Sequence, residues 1–198
     1  FAAGPGGDPC YMLIDFGVHH QYPGSADRIP LVAEDIARAT GNHLNVVAIT
    51  HEHTDHLYGF KYGKETFEEP FDIDELWLAW TENRENSLAR QLKDLYGFQV
   101  RALIAAADHL ALAGADASAK AIRGVLDFEV PEALAASGTE SAELQFLRSR
   151  AVKSPPNGID YLVPERSPRD VPGVSGARVW VLGPPQSLKA IRSLVQQS

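Results

Sequence analysis

The chain has 198 residues, of which 44% are hydrophobic, 22% charged and 9% aromatic, a composition typical of an ordinary globular domain. Acidic residues outnumber basic ones by 26 to 18, and the net charge of −8 disfavours nucleic acid as a partner, because a phosphate backbone attracts clustered Lys and Arg. No stretch approaches the roughly 18 apolar residues of a membrane helix, and the single cysteine, Cys10, fits a reducing compartment, so we predict a cytoplasmic protein without membrane contact.

The first 50 residues predict one strand, one helix and a second strand. Tyr11–Phe16 is a short apolar run that favours a buried strand. A helix is predicted to begin at Ser25 or Asp27, with Pro30 in its first turn, and to end at Gly41. Leu44–Thr50 is rich in β-branched residues and favours a second strand. This order is typical of a βαβ unit with parallel strands and therefore of the α/β class.

The rest of the chain predicts fewer strands and more helix. Asp74–Trp80 favours a third strand, and residues 82–150 favour a helix-rich segment, in which Gly97 is a candidate break and Asp116 and Pro131 are candidate helix starts. Arg178–Leu182 favours a fourth strand, and a short helix is predicted from Ser187 onward. We interpret residues 82–150 as a helical insertion within a single domain that spans residues 1–198.

Four candidate metal ligands follow the second strand within six residues: His51, His53, Asp55 and His56. Imidazole and carboxylate groups are common ligands of Zn²⁺. If the strand continues to His51, its alternation places His51 and His53 on the same side, where they can share one metal. Asp55 and His56 lie beyond the strand end, where a turn can bring them to a neighbouring metal. The carboxyl end of a parallel strand is the usual position of sites in α/β sheets.

Two further residues are predicted to support this cluster from outside the ligand set. Asp15 ends the first strand, where its carboxylate either orients a metal-binding histidine or caps the turn. Thr50 directly precedes the cluster and is expected to support the backbone of its loop.

The segment Thr50-His-Glu-His-Thr-Asp-His56 resembles the T-H-x-H-x-D-H signature of the metallo-β-lactamase superfamily. Leu13-Ile-Asp-Phe-Gly17 is similar to the strand that precedes that signature, and His56-Leu-Tyr-Gly-Phe60 to its common continuation. Trp180–Pro185 resembles uncharacterised bacterial members more weakly. The resemblance covers residues 11–80 well and the remainder poorly.

The resemblance implies an αβ/βα sandwich that binds one or two zinc ions, with iron or manganese as alternatives. It also implies hydrolysis of a small-molecule ester, thioester, lactone, lactam or phosphoester by a metal-bound hydroxide. His51 and His53 would hold one metal, and Asp55 and His56 the second. Asp55 would also act in catalysis by orienting the hydroxide.

The chain departs from the family pattern after His56. The complete two-metal site also needs a further Asp and two further His, but downstream of His56 the chain has only His109, which lies in the helix-rich segment and favours a helix surface. We therefore expect an incomplete fold, the N-terminal part of such a domain, with the remaining ligands beyond Ser198 or on another chain. The alternatives are a degenerate, non-catalytic module and an iron-dependent oxidoreductase on the same fold.

Overall fold

The structure is a computed structural model that describes residues 9–19, 22–68, 70–129, 140–151, 158–164 and 167–195. In this part of the chain the strands are β1 (Met12–Ile14), β2 (His43–Ile49), β3 (Asp72–Ala79), β4 (Ile159–Leu162), β5 (Arg169–Asp170) and β6 (Arg178–Val179). The α-helices are α1 (Ser25–Thr40), α2 (Thr54–Tyr62), α3 (Ser87–Leu112), α4 (Asp116–Glu129), α5 (Ala142–Arg150) and α6 (Leu188–Val195). Two short 3-10 turns cover Lys64–Phe67 and Trp80–Glu82. None of the described helices is long and apolar enough to cross a membrane.

Strands β1 to β4 form one sheet, in chain order and all parallel. The predicted α/β class and the predicted parallel pairing of the first two strands are therefore confirmed. The predicted fourth strand at Arg178–Leu182 is wrong in extent and position, because only Arg178–Val179 forms a strand, and this strand pairs antiparallel with β5 in a separate two-stranded sheet. The fourth strand of the main sheet is β4, which pairs with β3 through Leu76↔Ile159 and the following residues.

One face of the main sheet forms the core with helices α1, α2 and α5. Apolar residues of β2 and β3 on this face pack against Ile29 and Ala33 of α1, against Leu57 and Phe60 of α2, and against α5. The fully buried members of this cluster are Ala33, Leu44, Val47, Ile49, Leu57, Phe60, Phe67, Phe71, Ile73, Leu76, Leu78, Leu144 and Leu147. Burial of this apolar surface is the main source of stability, and it fixes the helices relative to the strand ends.

Helix α1 ends where the sequence predicts but begins with a different N-cap residue. Gly41 adopts a left-handed conformation with φ 63° and donates its N–H to Ala37 O, as predicted for a helix stop. At the other end the cap residue is Gly24, also left-handed, so neither Ser25 nor Asp27 is the N-cap. Ser25 Oγ instead donates to Tyr22 O, in the turn before the helix.

The segment predicted to be helix-rich contains α3, α4 and α5. Helix α3 runs through Gly97 without a break. One glycine inside a helix costs only about 1 kcal/mol relative to alanine, which the other residues of a 26-residue helix can offset. Asp116 is the first residue of α4, which packs along α3 as a helical hairpin. Pro131 lies outside the described residues. The interpretation of residues 82–150 as an insertion stays a prediction, since it depends on an alignment with relatives.

The other face of the main sheet borders an apolar groove of about 430 Å³. Met12, Ile14 and Trp77 form its floor, and the segment around β6, including Trp180, forms its wall. Arg169 of β5 ties this segment to the sheet, since its guanidinium lies 2.9 Å from Glu75 Oε2 and 3.2 Å from Asp160 Oδ2. The groove reaches Thr50, next to the histidine cluster.

Candidate metal centre

The four predicted ligands lie at the carboxyl end of β2, where the chain turns into α2. Strand β2 ends at Ile49, and α2 begins at Thr54 with His53 as its extended N-cap residue. His51 and His53 therefore belong to a short connecting loop, which we call the histidine loop (residues 50–53). Asp55 and His56 belong to the first turn of α2. The strand is buried and the helix is packed on the core, so both ends of the loop are fixed.

The structure brings these side chains together. One ligand atom from each of His51, His53 and Asp55 lies within 4.8 Å of the other two. The ring of His51 also lies 4.4 Å from that of His53 and 3.9 Å from that of His56, centroid to centroid. His56 Nε2 is 3.4 Å from Asp55 Oδ2. Asp55 is thus adjacent both to the His51–His53 pair and to His56, and its side chain is 42% exposed.

Asp15 and Thr50 connect two of the histidines through hydrogen bonds. His56 Nδ1 lies 2.7 Å from Asp15 Oδ2. Thr50 donates its hydroxyl to the same oxygen at 2.7 Å and its backbone N–H to Asp15 Oδ1 at 2.8 Å. Because the Thr50 hydroxyl proton is then used, Thr50 Oγ1 can only accept from His51 Nδ1, 3.0 Å away. Both imidazoles are thereby favoured with Nδ1 protonated and Nε2 free to bind a metal.

Close backbone contacts fix the start of α2 against the end of β1. Phe16 donates its N–H to His56 O at 2.9 Å, and Gly59 donates its N–H to Phe16 O at 2.8 Å. A Cβ atom at Gly17 would lie 2.6 Å from Asp55 O, and one at Gly59 would overlap the Phe16 ring and its carbonyl oxygen. The two glycines allow an approach that side chains would prevent. Asp15, Asp55 and His56 are held together by this contact.

The environment of His51 favours its neutral form. Burial lowers the pKa of His51 below its ordinary value, and the neighbouring His56 and His53 lower it further, against the opposing charges of Asp15 and Asp55. A metal ion binds the neutral imidazole, so this shift makes a ligand nitrogen available at lower pH.

Glu52, between the two histidines, is a residue whose role the sequence analysis missed. Its side chain is 7% exposed and lies in a buried ionic cluster with Glu82 and Lys93, which we call the Glu52–Lys93–Glu82 cluster. Burial lowers the pKa of Lys93, but the carboxylates of Glu82 and Glu52 together raise it above its ordinary value, so the ammonium group is charged. No local pattern in the sequence indicates this role, because residues 50–53 lie beyond the end of β2 and the partners of Glu52 are Lys93 and Ser141.

His109, the one histidine downstream of the cluster, is exposed on α3 and is not part of the described cluster of ligand groups. Comparison of the chain with protein family models, with curated proteins and with solved structures finds no match. The site is therefore interpreted from its own geometry.

Proposed function

We propose that the protein is a metal-dependent hydrolase with a metallo-β-lactamase-like fold, acting on a small-molecule ester, thioester, lactone, lactam or phosphoester. The observation that carries this proposal is the convergence of His51, His53 and Asp55 at the carboxyl end of a parallel strand. Clustered imidazole and carboxylate groups in such a position are typical of a metal-dependent active site.

The residues present fit a zinc ion. Two metal–ligand bonds of about 2.0–2.2 Å place their ligand atoms at most about 4.4 Å apart. Three ligand atoms within 4.8 Å of one another are close to that spacing. Two neutral imidazoles and one carboxylate are also a donor set that catalytic zinc sites use. His51, His53 and Asp55 would hold this ion, and Asp55 together with His56 Nε2 would offer two ligand atoms to a second one.

A bound divalent cation would supply Lewis acidity and lower the pKa of a coordinated water toward neutrality. The protein's own contribution is to fix the ligands before the substrate arrives. Asp15 and Thr50 hold His56 and His51 at their Nδ1 atoms, which leaves the Nε2 atom of each ring as the candidate metal ligand. Asp55 is the exposed carboxylate of the cluster, and it can accept a proton or a hydrogen bond from a group that enters from solvent.

The metallo-β-lactamase-like sandwich is supported by the asymmetry of the main sheet. Helices α1, α2 and α5 cover one face, while the other face borders the apolar groove and leaves Ile14 of β1 exposed. Half of an αβ/βα sandwich would have this arrangement, with helices on one side of a sheet and an apolar surface on the other.

Zinc binding and hydrolysis test the proposal together. Purified protein is stripped of metal and titrated with Zn²⁺ against a chromophoric chelator. It is then screened for hydrolysis of ester, thioester, lactone, lactam and phosphoester substrates with and without added Zn²⁺. We expect the wild-type protein to bind zinc and the His51→Ala variant to lose most of that affinity.

His109→Ala is the matched control, since it removes an exposed imidazole outside the cluster. Loss of zinc binding in His109→Ala as large as in His51→Ala, or no zinc binding by the wild type, would contradict the proposal. Zinc binding without hydrolysis of any substrate class would favour a non-catalytic module.

A further inference from the structure

The side chain of Glu52 points away from the candidate metal ligands and into the protein. Its Oε2 accepts a hydrogen bond from Lys93 Nζ at 2.9 Å. Its Oε1 accepts from the backbone N–H and the hydroxyl of Ser141, at 3.3 and 3.4 Å. Ser141 is the N-cap of α5, where its hydroxyl also accepts from Leu144 N. The residue between His51 and His53 is thus joined to α3 and to α5, 41 and 89 residues further along the chain.

Lys93 is itself held by a second carboxylate. Its Nζ lies 2.9 Å from Glu82 Oε2, and Glu82 belongs to the 3-10 turn that follows β3. Glu52 and Glu82 are both buried, whereas Lys93 is 39% exposed. Two buried carboxylates on one ammonium group have few alternative partners, so their geometry is well defined. The cluster therefore links the histidine loop to the end of the adjacent strand.

We propose that Lys93, acting through Glu52, is a positioning residue that holds the backbone of the histidine loop so that His51 and His53 lie together. The argument is geometric. On the metal-facing side of the loop, His51 contacts Thr50, His53 and His56. On the opposite side, the buried Glu52 side chain connects the same loop to Lys93 and Ser141. The helix-rich segment is then part of the site's support. This inference rests on the proposed metal-binding function.

Arg169→Met is the matched control for Lys93→Met, because the two cations have similar surroundings. Arg169 is 34% exposed and also pairs with two carboxylates, those of Glu75 and Asp160, but it lies on the opposite face of the sheet. Both variants remove one charge and keep a long apolar side chain. Any general cost of losing an ion pair is therefore common to the two.

The experiment measures backbone amide exchange by NMR in metal-free protein, together with zinc affinity. The Thr50 and His56 amides are informative, since both donate hydrogen bonds in the folded protein. We expect Lys93→Met to lose protection selectively at residues 50–56 and to bind Zn²⁺ about 10–100-fold more weakly, the usual effect of removing a group that orients ligands. We expect Arg169→Met to change neither quantity, and Lys93→Arg to recover both.

Unchanged exchange at residues 50–56 in Lys93→Met would overturn the inference, as would an equal effect of Arg169→Met. If Lys93→Met does not fold, Glu52→Gln replaces it, because Gln keeps the shape and an acceptor oxygen while losing the charge. If the wild-type protein binds no zinc, the proposed function is wrong, and the exchange data still decide whether Lys93 holds the loop.

Discussion

Asp15 Oδ2 lies 2.7 Å from His56 Nδ1, although the two residues are 41 positions apart in the chain. The contact joins the end of β1 to the first turn of α2. Asp15 adopts a left-handed backbone conformation with φ 52°, which residues other than Gly, Asn and Asp rarely accept. The carboxylate thus reaches His56 from a position that few other residue types can occupy. His56 Nε2 remains on the opposite side of the ring, 3.4 Å from Asp55.

The first prediction follows from this contact. Asp15→Asn keeps a residue type that tolerates the left-handed conformation but removes the charge that holds His56 Nδ1–H and the Thr50 hydroxyl. We expect zinc affinity to fall about 10–100-fold. The metal-free protein should also lose about 1–3 kcal/mol of stability, because the amide NH2 of Asn replaces an oxygen that accepts a hydrogen bond. A chelator-competition titration measures the affinity, and circular dichroism measures the melting temperature.

Asp74→Asn is the control for Asp15→Asn. Asp74 Oδ2 lies 3.0 Å from His43 Nε2 at the other end of the sheet, and the side chains of Asp74 and Asp15 are 15% and 18% exposed. Zinc affinity should be unchanged in Asp74→Asn. A wild-type affinity in Asp15→Asn would show that His56 does not need its Asp15 partner.

The second prediction concerns Asp55. Asp55→Asn should abolish hydrolysis and weaken zinc binding strongly, because the neutral amide is a poor metal ligand and cannot take up a proton. Asp55 also lies in the first turn of α2, where a negative charge stabilises a helix by about 0.3–1 kcal/mol. We therefore expect a small loss of stability in chemical denaturation beside a large loss of activity.

Asp27→Asn separates these two effects, since Asp27 is an exposed acidic residue in the first turn of α1. The Asp27→Asn variant should show the same small loss of stability but retain full activity. Activity that survives in Asp55→Asn would remove Asp55 from the site.

Much of the candidate site could be predicted because its signal is local. His51, His53, Asp55 and His56 lie within six residues, and one strand end followed by one helix start is enough to bring them together. The role of Glu52 could not be predicted in the same way, because its partner Lys93 lies on another element. A glutamate in a polar loop is usually solvated, and only tertiary packing buries this one.

For the fold as for the site, the parts that depend on local sequence patterns were predicted and the parts that depend on tertiary pairing were not. The β1-α1-β2 unit follows from local patterns of apolar residues and a glycine stop at Gly41. Strand β4 was missed because four residues between turn-like segments carry little periodic signal, and it is identified by its register with β3. Arg178–Leu182 has the composition of a strand, yet only two of its residues pair with another strand, since pairing depends on the partner available.

The third prediction concerns the close approach of α2 to β1. Gly59→Ala would place a methyl group against the Phe16 ring and its carbonyl oxygen, so we expect a loss of about 3 kcal/mol in unfolding free energy, the upper end of the usual cost of overpacking. Zinc affinity should fall as well, because the start of α2 carries Asp55 and His56. Urea denaturation measures the stability.

Gly124→Ala is the control substitution for Gly59→Ala. Gly124 lies inside α4, and a Cβ there would meet nothing within 4 Å. Alanine should therefore stabilise the helix by roughly 0.5–1 kcal/mol. Equal effects of the two substitutions would mean that the contact between Gly59 and Phe16 is not tight in solution.

The last prediction concerns pH and begins with the imidazole of His51. Burial, together with His56 and His53, lowers the pKa of His51 below its ordinary value of about 6.5. The metal-free folded protein therefore binds fewer protons at His51 than the unfolded chain does, between that lowered pKa and about 6.5. Stability contributed by this residue is fully present above about pH 6.5 and is lost as the pH falls through the lowered value.

NMR titration of the His51 ring in metal-free protein should show a midpoint below about 6.5. The unfolding free energies of the wild type and His51→Gln are then measured from pH 5 to pH 8. Their difference should be constant above about pH 6.5. Below that pH the wild type should lose stability relative to His51→Gln, so that the two curves converge or cross. His109→Gln, which alters an exposed helix residue, should follow the wild-type pH profile. A His51 midpoint at or above about 6.5 would mean that the ring is more solvated than its packing against His53 and His56 implies. In that case the neutral ring would not be available to zinc at lower pH than an ordinary histidine, and the prediction would be wrong.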